Sequence, residues 1–123
     1  MAKVLVITTN ETAEVKEVSG GDALREIVGG WLEGISCGAD VIAYVNEEGK
    51  YDPSLEINTH AQIVLDILLQ QIERRFNPGD YIKGNVILVG TIDENGQYDG
   101  EEHDVPNRII ELVKEIGLEV VNG

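Results

Sequence analysis

The sequence predicts an α+β fold built on a mixed β-sheet. Two β-rich segments lie near the N-terminus, and a segment with apolar residues at helical spacing follows them directly. Strand-like and helix-like segments then alternate to the end of the chain. Because β-grasp domains begin with a hairpin and a helix across its face, we expect a β-grasp-like ββα start. We also expect the helices to pack on one face of the sheet and residues 1–123 to form a single domain.

The opening hairpin is predicted from two β-rich segments with a break between them. Residues 3–9 are rich in β-branched side chains, and Asn10 and Glu11 interrupt the pattern. Residues 13–18 then alternate between apolar and polar side chains. This arrangement is typical of two antiparallel strands joined by a short turn.

A helix is predicted to begin at Ser19, because Ser19 and Asp22 match the Ser-x-x-Asp capping pattern. Gly29 and Gly30 interrupt this helix, and each costs about 1 kcal/mol relative to alanine. We therefore expect a neighbouring element to pack closely on the glycines, with a backbone surface for a ligand as the alternative. The helix is predicted to reach Ile35 on the spacing of its apolar residues, which are Leu24, Ile27, Val28, Trp31, Leu32 and Ile35.

The remaining elements follow from periodicity and from breaker residues. The longest helix is apolar nearly all round, and one sheet covers only one face of a helix. An exposed apolar face is rare in monomers, so we expect a homo-oligomer, most simply a two-fold dimer. In chain order we predict a strand at 40–45, a helix at 59–76 stopped by Asn77-Pro78-Gly79, a strand at 81–92, an acidic loop at 93–104, a helix from Pro106 to Gly117 and a short last strand.

A short polar motif occurs twice at the ends of predicted strands. Residues 47–52 read EEGKYD, and residues 94–99 read ENGQYD. Both copies place a glycine in the same position, namely Gly49 and Gly96. We interpret the shared feature as a turn that needs a glycine with positive φ, and Asn95-Gly96 is a strong hairpin-turn signal.

The net charge of -14 limits the possible partners. An acidic surface repels phosphate backbones, so we expect neither direct nucleic-acid binding nor docking on an anionic membrane. Solubility explains the charge most simply, and mimicry of nucleic acid by surface carboxylates is the alternative. The single cysteine, Cys37, cannot form an internal disulfide, which fits a cytoplasmic location.

No residue pattern nominates an enzyme, a metal site or a cofactor. Zinc prefers well-spaced histidine and cysteine ligands, and the chain offers only His60, His103 and Cys37. The segment from Asp93 to Asp104 lacks the glycine that a calcium-binding EF-hand loop requires at its sixth position. No nucleophile lies in a recognisable catalytic motif. We therefore expect a non-catalytic protein without cofactors.

Several motifs occur together in this sequence. They are REIVGGWLE at residues 25–33, NEEGK at 46–50, Asn58 with Ala61, and DYIKGNV at 80–86 followed by Val89-Gly90. Together they resemble domain-of-unknown-function family 3846, and the likeness covers about residues 2 to 100. The resemblance implies a small protein encoded on a phage or another mobile element, acting in a bacterial host cytoplasm, without an assigned activity.

Few cations are available to build a site for an anion. Arg108 is the first candidate, because a cation in the first turn of a helix opposes the helix dipole and therefore calls for another explanation. Arg74 and Arg75 form an adjacent basic pair. The full set of candidate ligand-binding residues is Arg108, Asn107, Arg74, Arg75, Lys83, Lys50, Tyr51 and Tyr98.

The function expected from these residues is capture of a small anionic ligand without turnover. In the context implied by the family resemblance, that ligand would be a nucleotide immune signal and the role would be anti-defence by sequestration. The alternative is a protein-directed inhibitor whose acidic surface occupies the nucleic-acid site of a host enzyme. A basic-lined pocket would favour the first function, and a continuous acidic band would favour the second.

Overall fold

The computed structural model describes residues 1–76 and 81–122. The predicted stop at Asn77-Pro78-Gly79 lies outside the described residues. No helix among the described residues is long and apolar enough to cross a membrane. The elements are β1 Ala2–Ile7, β2 Thr12–Val18, α1 Gly21–Val28, β3 Leu32–Ser36, β4 Val41–Asn46, α2 Thr59–Gln71, β5 Val86–Ile92, β6 Tyr98–His103, α3 Asn107–Glu115 and β7 Glu119–Asn122.

Within the described ranges, the strands form one seven-stranded sheet in the order β3-β4-β5-β1-β2-β7, and β6 pairs with β5. The strand pairs are antiparallel except for β2 and β7, which run parallel. The predicted α+β class and mixed sheet are therefore confirmed. The opening hairpin is confirmed as well, with Ala2 opposite Val18 and Ile7 opposite Ala13.

The prediction that the helices share one face is wrong. Val4 and Val6 of β1 belong to a buried cluster with Leu24 and Val28 of α1. Leu5 and Ile7 belong to a second cluster with residues of α2 and α3. Successive side chains of a strand point to opposite faces, so α1 covers one face of the sheet and α2 with α3 covers the other.

The first helix is shorter than predicted. It ends at Val28, and Gly29 follows in the left-handed conformation with φ 81. The predicted cap at Ser19 is also wrong, because Gly20 precedes the helix and no side chain caps it. The residues after the two glycines form β3 instead, so the helical spacing of Trp31, Leu32 and Ile35 was coincidental.

Close packing at the glycines is confirmed at one of the two positions. A Cβ atom on Gly30 would lie 2.8 Å from the Nδ2 atom of Asn46, whereas nothing lies within 4 Å of a Cβ on Gly29. Asn46 therefore occupies space that only a glycine leaves open. Its side-chain amide also donates a hydrogen bond to the carbonyl oxygen of Val28 at 3.4 Å, which ties the end of β4 to the end of α1.

Two further boundaries and one predicted loop differ from the prediction. α2 ends at Gln71 instead of residue 76, and Glu73 beyond it takes a positive φ of 59. β5 begins at Val86 instead of residue 81, because residues 82–84 pair with residues 56–58 through the Ile57–Lys83 bridge. The segment predicted as an acidic loop contains β6, which folds back on β5. The final helix and the short last strand are confirmed.

The two glycine turns have different causes. Gly96 has φ 77 in the turn between β5 and β6, as predicted. Gly49 has no positive φ and is buried. A Cβ on Gly49 would lie 3.4 Å from the carbonyl oxygen of Lys83. Close approach of two segments, and not an unusual backbone conformation, therefore favours glycine at this position.

Candidate functional site

A buried asparagine joins three segments next to the Gly49 turn. The Asn58 side-chain amide donates hydrogen bonds of 2.9 Å to the carbonyl oxygens of Ile7 and Gly84. Its side-chain oxygen accepts a hydrogen bond of 3.0 Å from the backbone N–H of Ala61 and so caps α2. Only 1% of Asn58 is exposed. We call this set of contacts the Asn58 junction.

A cleft opens beside this junction, between β3, β4 and the segment that enters β5. Its volume is about 120 Å³. Small-molecule pockets are typically larger than roughly 300 Å³, so a whole nucleotide does not fit inside it. We call it the Gly49 cleft, and its walls are Glu33, Ile35, Val45, Asn46, Glu47, Gly49, Phe76, Tyr81, Ile82 and Lys83.

The structure brings part of the predicted anion site to this cleft. Lys83 lines it, and its positive charge helps to lower the pKa of Asp52, after the stronger effect of the Ser54 hydrogen bonds. Lys50 and Tyr51 belong to the short 3-10 turn that begins at Gly49, and Tyr51 is 77% exposed. These residues therefore follow directly on a glycine that packs against Lys83.

Arg74 and Arg75 are exposed and lie beyond the C-terminus of α2. They directly precede Phe76, which lines the Gly49 cleft. Because the helix has already ended at Gln71, the arginines do not stabilise its C-terminal dipole in the way that a residue of the last turn would. Among the described residues, no carboxylate forms an ion pair with Arg74 or Arg75.

Arg108, the first candidate for an anion contact, is already occupied. Its guanidinium forms an ion pair with Asp40 in the connection between β3 and β4. This pair explains a cation in the first turn of α3, because it joins the helix to the β3–β4 connection. Asn107 is exposed at the start of the same helix, and Arg108 lines an open groove between α2 and α3 rather than the Gly49 cleft.

Tyr98 lies in neither the Gly49 cleft nor the α2–α3 groove, but at the start of β6. It is 75% exposed and lines a small depression of about 60 Å³ together with Tyr44. The eight predicted residues are therefore divided among the Gly49 cleft, the α2–α3 groove and β6. The sequence could not show this division, because it depends on contacts between segments far apart in the chain.

The strongest concentration of charge is the hairpin of β5 and β6, which sequence reasoning set aside as a solvated loop. We call residues 93–104 the acidic hairpin. Half of its twelve residues are acidic, and it contains no lysine or arginine. A depression of about 510 Å³ opens against it, and the carboxylates of its wall are Asp93, Glu94, Glu102 and Asp104.

Two of the hairpin carboxylates hold its own backbone in place. Asp93 accepts hydrogen bonds of 2.9 Å from the backbone N–H groups of Asn95 and Gln97. Asp99 accepts a hydrogen bond of 3.0 Å from the backbone N–H of Glu101, and its carboxylate lies 2.7 Å from Nε2 of His103. The His103 contact raises the pKa of His103 and lowers that of Asp99.

Other carboxylates of the hairpin take no part in these contacts. Within residues 1–76 and 81–122, no hydrogen bond or ion pair engages the side chain of Glu101 or Glu102. Glu101 is exposed, and Glu102 is half-buried on the wall of the depression. The arrangement presents negative charge on a strand whose geometry is fixed by other residues.

Metal or thiol chemistry finds no support among the described residues. No cluster of three or more histidine, cysteine, aspartate or glutamate side chains in these ranges could hold a metal ion. Cys37 is buried, and burial raises the pKa of its thiol to about 11. At neutral pH the thiol is therefore protonated and a poor nucleophile.

The chain belongs to the family described as Domain of unknown function (DUF3846), whose model matches residues 1–114. Comparison with curated proteins and with solved structures gives no match. The family resemblance stated from the motifs is therefore confirmed. Several of these motif residues meet in the structure, because Gly30 packs on Asn46, Gly49 packs on Lys83, and Asn58 bonds to Gly84.

Proposed function

We propose that this protein is a non-catalytic binding protein whose acidic hairpin docks on a basic, nucleic-acid-binding surface of a partner protein. The observation that carries the proposal is the 510 Å³ depression, whose wall has four carboxylates beside Met1, Ile92 and His103 and contains no lysine or arginine. A concave acidic surface of this kind suits arginine and lysine side chains that otherwise contact phosphates. The protein would then act as an inhibitor that competes with nucleic acid.

The net charge of the whole chain also favours a basic partner protein. A net charge of -14 accelerates encounter with a basic partner and disfavours encounter with an anionic ligand. Glu101 and Glu102 can contact a partner without first breaking contacts inside the described part of the chain. Because Asp93 and Asp99 already fix the hairpin backbone, little ordering would be needed on binding.

The test is competition with DNA on a panel of basic nucleases and polymerases. We expect the protein to inhibit at least one of them, with inhibition that weakens as salt rises. The double variant Glu101→Gln/Glu102→Gln should inhibit about tenfold less. The matched control is Glu111→Gln/Glu115→Gln, an exposed glutamate pair on α3 away from the hairpin and from β3, which should inhibit like the wild type. If the two double variants lose inhibition equally, net charge alone explains the effect and the proposal is wrong.

Capture of a small anionic ligand is the second candidate function. The observation that favours it is the presence of Arg74 and Arg75, which are exposed and directly precede Phe76 of the Gly49 cleft. Neither arginine has a carboxylate partner among the described residues. The cleft could take a phosphate-sized group while a base stacks on Tyr51 or Tyr81, both of which are exposed. Under this proposal a sequestered nucleotide lies across the cleft rather than inside it.

Calorimetric titration with cyclic and ADP-ribose-type nucleotides tests this second candidate. Binding tighter than about 10 μM, lost in Lys83→Ala and in Arg74→Ala, would establish it. Lys114→Ala is the matched control, because Lys114 is exposed on α3 and pairs only locally with Glu111. If none of the nucleotides binds, or if Lys114→Ala weakens binding as much as Lys83→Ala, the ligand or the site is wrong.

The homodimer expected from α2 stays a prediction, now with a smaller surface to support it. Val64, Leu65, Leu68 and Leu69 are buried within the chain, and the exposed apolar residues of the α2 region are Ile63 at 42% and Ile72 at 36%. Light scattering at low micromolar concentration should give the mass of two chains. A measured mass of one chain would contradict the predicted dimer.

A further inference from the structure

We propose that the free edge of β3, together with the indole ring of Trp31, binds an extended basic peptide of a partner protein as an added β-strand. The proposal does not rest on the acidic hairpin. β3 is the terminal strand of the sheet, two strands away from β5, with which the hairpin strand β6 pairs. Each surface can therefore fail or succeed in its own test.

The first support is the direction of the backbone groups of β3. The N–H of Cys37 donates to the carbonyl of Val41 at 3.1 Å, and the carbonyl of Trp31 accepts from the N–H of Glu47 at 2.9 Å. Hydrogen-bonded and non-bonded residues alternate along an antiparallel pair. The outward N–H and C=O groups are therefore those of Leu32, Gly34 and Ser36, and no described residue binds them.

The edge carries one charged side chain, Glu33, but it lacks the other common features that prevent strand addition. Edge strands are commonly protected by lysine, proline or a β-bulge. The β3 sequence, LEGIS, contains neither lysine nor proline, and its register with β4 is regular from Leu32–Asn46 to Ser36–Ile42. A strand of five residues with three outward-facing residues is long enough to pair with a short peptide.

The second support is Trp31, which directly precedes β3. Its side chain is 67% exposed, although tryptophan normally buries most of its surface. The guanidinium of Arg25 lies 5.5 Å from the centroid of its ring. Exposed tryptophan is enriched among the residues that dominate binding energy at protein interfaces, and its ring can stack on arginine or lysine of a partner.

Two glutamates beside this edge favour a basic occupant, and they lie near two cations, Arg25 on the Trp31 ring and Lys83 in the adjoining cleft. Glu33 lies on β3 itself, and Glu47 is held next to Trp31 by their backbone hydrogen bond. Both line the Gly49 cleft beside the strand. Alternate side chains of an added strand would lie on the same face as Glu33, so a peptide with lysine or arginine at every second position could pair with both glutamates. A second copy that pairs through its own β3 is a poor occupant, because Glu33 of the two copies would then lie on neighbouring strands.

Fluorescence of Trp31, the sole tryptophan, reports binding at this edge directly. The probe is a peptide of about nine residues in which lysine and valine alternate. We expect a saturable change in the emission of Trp31 that weakens with salt, and no change with the peptide in which glutamate replaces lysine. A basic peptide with proline at alternate positions should bind about tenfold more weakly, because it lacks the N–H groups that strand pairing needs.

Two charge-reversal variants test the location. Glu33→Lys should weaken peptide binding about tenfold, whereas Glu119→Lys on β7, the opposite edge of the sheet, should leave the affinity within about twofold. Ser36→Pro removes one outward N–H while leaving the ladder with β4 in place, and it should also weaken binding. Equal binding of the proline peptide, or equal effects of Glu33→Lys and Glu119→Lys, would overturn the proposal. So would a change in Trp31 emission that needs no peptide and follows the protein concentration, because the occupant of the edge would then be a second copy.

Discussion

The Asn58 junction and the acidic hairpin use polar side chains in opposite ways. At the junction one buried amide forms three hydrogen bonds to backbone groups of β1, α2 and the segment that enters β5. In the hairpin the carboxylates are mostly exposed, and those with partners bond to the hairpin itself or to the adjacent backbone of β1. The first region holds distant parts of the chain together, and the second presents charge to solvent.

This difference means that the Asn58 junction contributes to stability, whereas the exposed carboxylates of the hairpin are available for binding. A buried amide costs free energy when any partner is lost, because water cannot replace the missing bond. An exposed carboxylate without a partner costs almost nothing when it is replaced by an amide of similar shape. We therefore expect substitutions at the junction to unfold the protein and substitutions at Glu101 and Glu102 to change binding alone.

The largest expected effect is that of Asn58→Ala. It removes the side-chain hydrogen bonds to the buried carbonyl groups of Ile7 and Gly84 and to the N–H of Ala61. We expect a loss of about 3 kcal/mol in the free energy of unfolding, measured by urea denaturation. Asn122→Ala on exposed β7 is the control, and its effect should stay below about 0.5 kcal/mol. Similar losses in the two variants would contradict the role of the junction.

Gly90→Ala tests where the hairpin joins the sheet. A Cβ at this position would lie 2.1 Å from the carbonyl oxygen of Asp104, so the backbone after β6 must move. We expect a loss of about 2 kcal/mol in the free energy of unfolding. Gly100→Ala is the comparison, because it meets no atom within 4 Å and carries only the strain of φ 78, which costs about 1 kcal/mol. If Gly90→Ala loses less free energy of unfolding than Gly100→Ala, the close contact at Gly90 does not hold the hairpin against the sheet.

Asn46→Ala removes a partly buried amide and should have an intermediate effect. The Asn46 side chain accepts a hydrogen bond of 2.9 Å from the N–H of Glu48 and donates one to Val28. We expect a loss of about 1 kcal/mol in the free energy of unfolding. The double variant Asn46→Ala/Gly30→Ala removes the close contact of Nδ2 with the added methyl group. It should therefore lose less than the sum of the two single variants.

The smallest expected effect is a pH dependence inside the hairpin. The hydrogen bond to Asp99 raises the pKa of His103, with smaller effects from Asp93 and Glu101, and the same bond lowers the pKa of Asp99. For His103 the stabilisation is complete below its ordinary pKa of about 6.5 and is lost as pH rises through the raised pKa. For Asp99 it is complete above about 3.9 and is lost as pH falls through the lowered pKa.

Amide exchange of residues 98–103 should therefore be most protected, after correction for the intrinsic pH dependence of exchange, between about pH 4 and pH 6.5. Histidine NMR titration should place the pKa of His103 above its ordinary value in the wild type, and Asp99→Asn should lower it. An unchanged titration of His103 in Asp99→Asn would show that the contact does not form in solution.

The sequence predicted those parts of the fold that local patterns determine. The alternation around Val15 indicated the opening hairpin of β1 and β2. Asn95-Gly96 correctly indicated a turn with a glycine of positive φ, which lies between β5 and β6. A signal for two-sided packing was also present, because residues 4–7 are four consecutive apolar residues, a pattern typical of strands buried on both faces. The number of helical layers could have been inferred from it.

The candidate site was less predictable because its residues act through distant partners. Arg108 is occupied by Asp40, which is 68 positions earlier in the sequence, and Gly49 packs against Lys83 without a positive φ of its own. Trp31 fitted the apolar face of a predicted helix, yet the helix ends before it and the ring is exposed. No local pattern carries such information.

Hydrogen exchange on a complex with the most strongly inhibited nuclease or polymerase tests the central claim most directly. The account predicts that amides of residues 98–103 become more protected in the complex, while residues 47–52, which carry Glu47 and Glu48, exchange as in the free protein. Protection of residues 47–52 and 81–83 with an unchanged hairpin would contradict the account and identify the Gly49 cleft as the binding surface.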